Sequence, residues 1–126
     1  MALELMRKET PAGALVITCA GEVDSSTAPQ LDEEVSAAVA GGRTRLAIDL
    51  SGTTYLSSAG VGVLVAAQHA CAAKHGTLVL VYPRKKDDAT GMTRGYDVLE
   101  VLDLLGLTEQ FTVVGSQAEA EQRLRA

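Results

Sequence analysis

Between Leu46 and Ala73 the chain changes its hydrophobic pattern once, and that change restricts what it can fold into. Leu46-Ala47-Ile48 is apolar at every position, the pattern of a strand in the middle of a sheet covered on both faces. The strand is predicted over residues 43–50. Residues 51–56 are polar enough to read as a loop. Two adjacent serines, Ser57 and Ser58, then open an apolar helix from about Ala59 to His75, stopped by Gly76. A serine at a helix start can cap the free backbone N–H groups of the first turn. It can equally accept a phosphate, because that end of a helix favours negative charge.

The segments on either side supply the remaining layers. Leu3 and Leu5 alternate with more polar neighbours, and Pro11-Ala12-Gly13 breaks the pattern. Residues 14–20 are rich in β-branched side chains, so the two runs read as a hairpin. A polar loop at 21–27 leads to a helix in which Ala28, Leu31, Val35, Ala38 and Val39 recur at helical spacing. Thr27 with Gln30 fits a capping box, Pro29 suits the first turn, and Gly41-Gly42 ends the helix. Residues 77–82 form the next strand. Residues 84–97 are charged and aperiodic and read as an exposed, mobile loop. Val98, Leu99, Leu102 and Leu105 predict a helix closed by Gly106, and residues 110–114 the last strand. Ser116 with Glu119 forms a second capping box before a short helix carrying Ala120 and Leu124.

From the second strand onward, strands alternate with helices. The expected fold is α/β: a mixed, mostly parallel five-stranded sheet with about four helices and an antiparallel N-terminal hairpin at one edge. The whole chain, 1–126, reads as a single domain.

Composition removes several functions. The net charge of −5 and pI near 4.9 argue against nucleic acid or an anionic membrane as partner. The longest apolar run, residues 59–67, is too short to span a bilayer, and the N-terminus lacks a basic-then-apolar signal, so no membrane insertion and a cytoplasmic location are expected. Cys19 and Cys71 lie in apolar runs without CxxC spacing, as buried reduced thiols do. His69 and His75 have no Cys or carboxylate at ligand spacing, so no metal is expected. Asp49, at a strand end, reads as a loop-bracing acceptor. No nucleophile–base pair and no cofactor loop is present; Gly60 and Gly62 do not complete a dinucleotide fingerprint. Neither catalytic residues nor a cofactor are expected, and the chain does not read as an enzyme.

The helix after Ser58 is apolar nearly all round, with only Gln68 and His69 clearly polar. A helix lying on a sheet normally has a charged outer face. The pattern suggests an apolar patch offered to another protein. Gly60 and Gly62 each cost about 1 kcal/mol relative to Ala; close approach of a partner's backbone or tight packing on the chain's own sheet would account for them.

The run from Ile48-Asp49-Leu50-Ser51 through Ser58, Gly60, Gly62 and Leu64 resembles the signature of the STAS domain, the fold of bacterial anti-sigma-factor antagonists. Gly21-Glu22-Val23-Asp24 through Leu31, and Leu102 through Phe111, are similar to further family stretches, so the resemblance covers almost the whole chain. It implies that Ser58 is phosphorylated by a partner that is both serine kinase and anti-sigma factor. The unphosphorylated antagonist binds this partner, phosphorylation abolishes the binding, and a phosphatase restores it. It also implies a partner-binding stretch made of Asp24, Ser57, Ser58, Gly60, Val61, Gly62 and Leu64, with Asp24 on a loop near Ser58. Two positions depart from the family pattern. Ser57 stands where an aspartate is usual, which makes Ser57 a second candidate acceptor, and Ala59 follows where Ser or Thr is common. Two other functions fit the same chain: a non-switching STAS scaffold subunit of a stress-signalling or lipid-transport complex, and a small-molecule or nucleotide sensor using a pocket between Asp24 and Ser57.

Overall fold

The computed structural model describes residues 3–83 and 100–125. The elements in chain order are β1 (Leu3–Glu9), β2 (Leu15–Val23), α1 (Ala28–Ala40), β3 (Arg45–Leu56), α2 (Ser58–Ala73), β4 (Thr77–Val81), α3 (Glu100–Leu104), β5 (Thr112–Val114) and α4 (Gln117–Arg123), with a short 3₁₀ turn, Thr108–Gln110, before β5. The strands form one five-stranded sheet in the order β1-β2-β3-β4-β5. β1 pairs with β2 antiparallel and every later pair is parallel, as the sequence predicts.

Strands laid down in sequential order with right-handed crossovers place successive helices on one face. The larger core accordingly joins Leu15, Ile17, Leu46, Ile48, Leu78 and Leu80 of the sheet to Leu31 and Val35 of α1, Leu64 and Cys71 of α2, and Leu102 of α3. The opposite face carries a smaller core, in which Val16, Ala47, Val79 and Val81 meet Ala120 of α4 and Leu124 just beyond it. The two cores explain why Leu46-Ala47-Ile48 shows no alternation: the strand is covered on both sides.

The helical spacing predicted for α1 holds at every position named, since Ala28, Leu31, Val35, Ala38 and Val39 are all buried. Its capping does not follow the prediction. Thr27 makes no side-chain cap; its hydroxyl donates to the Glu22 carbonyl at 2.7 Å and accepts from the Asp24 amide at 2.9 Å. The second box is half realised: Ser116 Oγ accepts from the Glu119 amide at 3.2 Å, but the Glu119 carboxylate reaches back to the amide of Gly115, one residue before the cap, instead of that of Ser116.

Several boundaries move; the last strand, expected from residue 110, begins at Thr112 because residues 108–110 form the 3₁₀ turn. β2 runs on to Val23 and β3 to Leu56, so much of two predicted loops is strand. Helix α2 ends at Ala73, two residues early. Lys74 caps it and His75 takes a positive φ of 60°. Gly76 is required for a different reason from the one predicted: a Cβ there would lie 2.1 Å from the Thr44 carbonyl oxygen. The predicted loop at 84–97, with Val98 and Leu99 of the predicted third helix, lies outside the described residues. No helix of the described residues is long and apolar enough to cross a membrane.

Candidate functional site

The site begins where β2 and β3 leave the body of the sheet together. Their register shifts between Thr18 and Ala20 and again between Gly21 and Glu22, and Gly21 takes a φ of 121°. Such bulges bend a strand pair and re-aim its end. The extension is held by its own polar side chains: Thr53 Oγ1 donates to the Cys19 carbonyl at 3.0 Å and Thr54 Oγ1 to the Gly21 carbonyl at 3.3 Å. The pair ends in two buried apolar residues, Val23 and Leu56, and the Ser57 amide donates to the Val23 carbonyl at 2.9 Å.

That bond brings two chain turns together. Asp24 is the residue after Val23, and Ser58 is the residue after Ser57. The Asp24 carboxylate accepts from the Ser26 amide and hydroxyl at 2.9 and 2.8 Å, and from the Thr27 amide at 3.1 Å and hydroxyl at 3.2 Å. The hydrogen bonds from the Ser26 hydroxyl and amide, and less strongly those from Thr27, hold its carboxyl below the usual carboxylate range. Asp24 is therefore a fixed negative charge at neutral pH.

The two serines divide the tasks of the helix start. Ser57 is the N-cap of α2, in extended backbone, and its Oγ accepts from the Gly60 amide at 3.3 Å. Ser58 is the first residue of the helix and is exposed. A group on the Ser58 oxygen would stand at the positive end of a 16-residue helix.

Gly60 and Gly62 differ completely in surroundings. A Cβ on Gly60 would lie 2.7 Å from Leu56 Cδ1, 2.8 Å from Val23 Cγ1 and 3.1 Å from the Val23 carbonyl oxygen; one on Gly62 would meet nothing within 4 Å. Gly60 thus lets the first turn of α2 rest on the ends of β2 and β3. Val61 and Leu64 are buried on the same side. The expectation that Gly60, Val61 and Leu64 touch a partner is corrected on this ground: they pack the helix onto its own sheet. The outward stripe of α2 is Ala59, Gly62, Ala66 and His69, all exposed. Just before it Tyr55 is 44% exposed, an aromatic residue at the strand tip that the sequence reading passed over. The chain has four aromatic residues in all, three Tyr and one Phe, and that scarcity is the signal by which Tyr55 could have been singled out.

Asp49 behaves as a bracing acceptor. It is buried; its Oδ1 accepts from the Ser51 amide at 2.9 Å and hydroxyl at 2.5 Å, and its Oδ2 from Gln117 Nε2 at 2.6 Å, which ties α4 to β3. Cys19 and Cys71 are free and buried. Burial, with Asp49 adding to it, pushes the Cys19 thiol up to about 12. Two clefts lie away from the serines. One of about 440 Å³ lies among Arg7, Glu9, Ala37 and Arg43, and one of about 300 Å³ among Thr10, Pro11 and Glu121.

The sequence model of one domain family, described as Mlab, STAS domain, matches residues 6–114. This chain belongs to the STAS domain family. A Bordetella bronchiseptica protein named as an anti-sigma factor antagonist, BtrV, is 31% identical to this STAS domain over 108 residues, 86% of this chain and 84% of its own length. The crystal structure of an anti-sigma factor antagonist from Mycobacterium paratuberculosis superposes with a TM-score of 0.80 at 25% identity, covering 99% of this chain and 96% of that one. The Bacillus cell fate determinant SpoIIAA in its phosphorylated form superposes with a TM-score of 0.69 at 21% identity, covering 97% and 100%. At that identity the likeness is one of fold.

Proposed function

We propose that this STAS domain is an anti-sigma-factor antagonist, a cytoplasmic, non-enzymatic binding module that holds an anti-sigma factor with serine kinase activity while Ser58 is unphosphorylated. Ser58 is the phosphoacceptor, and a phosphatase resets it. The observation that carries this reading is the division between the two serines. Ser57 supplies the cap, which leaves the exposed Ser58 available for modification without loss of the helix start.

The switch follows from charge. A phosphate adds about −1.5 to −2 charges at neutral pH. At the start of α2 the helix dipole and first-turn N–H groups offset it, so the fold tolerates it. A partner docked on Asp24, Ser57, Ser58, Tyr55 and Gly62 meets that charge against an apolar stripe and beside the Asp24 carboxylate, where it is costly. The penalty therefore falls on docking and leaves the monomer intact.

The test is phosphorylation of the purified protein by candidate anti-sigma kinases with ATP, sites mapped by mass spectrometry, and partner binding by Ser58→Ala and Ser58→Asp. Phosphate on Ser58, binding by the Ala variant and loss of binding by the Asp variant are expected. Phosphate confined to Ser57, or equal binding by both variants, overturns the assignment.

A second reading rests on Ser57. A neutral N-cap residue stands where the family usually has a carboxylate, which removes one feature a kinase could recognise and favours a constitutive scaffold. ATP-insensitive co-purification with a larger assembly would support that reading over the switch.

A further inference from the structure

We propose that the outer edge of β1 is an association surface for a second copy of this chain, paired antiparallel about a two-fold axis at Met6. Among the described residues no strand covers that edge. β1 pairs with β2 without interruption from Leu3↔Gly21 to Glu9↔Leu15, so it is a regular strand with no bulge and no proline to spoil pairing on its other side.

The direction of its backbone groups follows from the hairpin. The Thr10 amide donates across to the Ala14 carbonyl at 2.9 Å. Backbone groups alternate along a strand, so Lys8, Met6 and Glu4 also point theirs toward β2. Leu3, Leu5, Arg7 and Glu9 therefore direct N–H and C=O to the open edge. An antiparallel copy must place residues of the same face opposite one another, which leaves only registers centred on a residue of the strand.

Charge selects among these registers. Centred on Arg7, the pairing sets Arg7 against its own copy, which is repulsive. Centred on Leu5, it sets Glu4 against Met6 and leaves Lys8 without a partner. Centred on Met6, the midpoint of the strand, it sets Glu4 against Lys8 twice, and all seven residues of β1 are paired. The hydrogen-bonded pairs are then Leu3 with Glu9 and Leu5 with Arg7, those whose backbone groups face outward. Glu4–Lys8 and Met6–Met6 fall at the non-hydrogen-bonded positions, where side chains approach most closely.

Two further observations agree. Met6 is 66% exposed, a large apolar side chain at the centre of the proposed axis. Arg7 and Glu9 already have partners on their own copy, Glu34 and Arg43, so the face toward α1 brings no unpaired like charges together. Charged side chains often guard a free edge; in the register centred on Met6 those of β1 are complementary instead of repulsive.

Sedimentation velocity on the full chain from low micromolar to roughly millimolar concentration tests the proposal. A concentration-dependent dimer is expected. Glu4→Lys should weaken it by at least about tenfold, since each dimer contains the pair twice, and Glu4→Lys combined with Lys8→Glu should restore it. Arg7→Pro removes an outward N–H without touching a β1–β2 hydrogen bond and should also give monomer, with circular dichroism verifying its fold. A wild-type chain that stays monomeric throughout, or dimers unaffected by both Glu4→Lys and Arg7→Pro, would overturn the proposal.

Discussion

Ser57 hangs from Val23: its amide donates to the Val23 carbonyl at 2.9 Å, although 34 positions separate them in sequence. The bond fixes the start of α2 against the end of β2, at the residues that immediately precede Ser58 and Asp24. Everything proposed for the site depends on that anchorage staying rigid while the exposed face of the helix changes its charge.

The two glycines of α2 separate packing from docking. Gly60→Ala puts a methyl into Val23 and Leu56, with backbone on one side, and should destabilise the fold by about 1–3 kcal/mol. Gly62→Ala meets open space and should stabilise it by about 0.5–1 kcal/mol through helix propensity. Urea denaturation measures both. If α2 presents its outward stripe to a partner, Gly62→Ala weakens that binding despite the firmer fold.

The serines should separate in the same experiment. Ser57→Ala removes the N-cap and should cost about 1 kcal/mol. Ser58→Ala touches an exposed side chain outside the cap and should stay within about 0.5 kcal/mol of wild type. Equal losses would mean that Ser58 is built into the helix start.

Asp24 gives a pH dependence with a definite sign. Its folded carboxyl titrates below the ordinary value, so its contribution to stability is present above the unfolded pKa and is lost as pH falls through the folded one. Asp24→Asn should be less stable than wild type at neutral pH, and the gap should close only in acid below the ordinary carboxylate range. Denaturation midpoints measured as a function of pH check this; a gap constant across that range would contradict it.

Asp49→Ala should cost about 2–3 kcal/mol, because hydrogen bonds to a buried charged group vanish and Gln117 loses its acceptor. The loss should be local in character. Hydrogen exchange should rise first in α4, which Asp49 ties to β3, before the central strands respond.

Cys19 should be inert in the native state. With its thiol pushed up to about 12 and no solvent exposure, it carries almost no thiolate at pH 8. A disulfide reagent should label it only at the rate of unfolding, and rapid labelling of the folded protein would contradict the packing described.

Much of the fold could be read from residue order because periodicity reports which side of an element is apolar. Ala28, Leu31, Val35, Ala38 and Val39 fall on one face of any helix they form, and that face is buried here. Leu46-Ala47-Ile48 asks for cover on both sides and receives it from two separate cores. Ser116 could be placed because its cap on the Glu119 amide spans only four residues. The candidate acceptor, Ser58, was likewise visible as one of two serines before an apolar helix.

Contacts between distant segments settled the rest. Residues 51–56 look like a loop because they are polar, yet Thr53 and Thr54 are held in strand by carbonyls of Cys19 and Gly21, more than thirty positions away. Thr27 looks like a cap, but its hydroxyl is taken by Glu22 and Asp24. Gly60 and Gly62 are the same residue two positions apart, and only the approach of Val23 and Leu56 makes one a packing necessity and the other free surface. Local order fixes what a side chain can do; which of those options it takes depends on the neighbour that folding brings within reach.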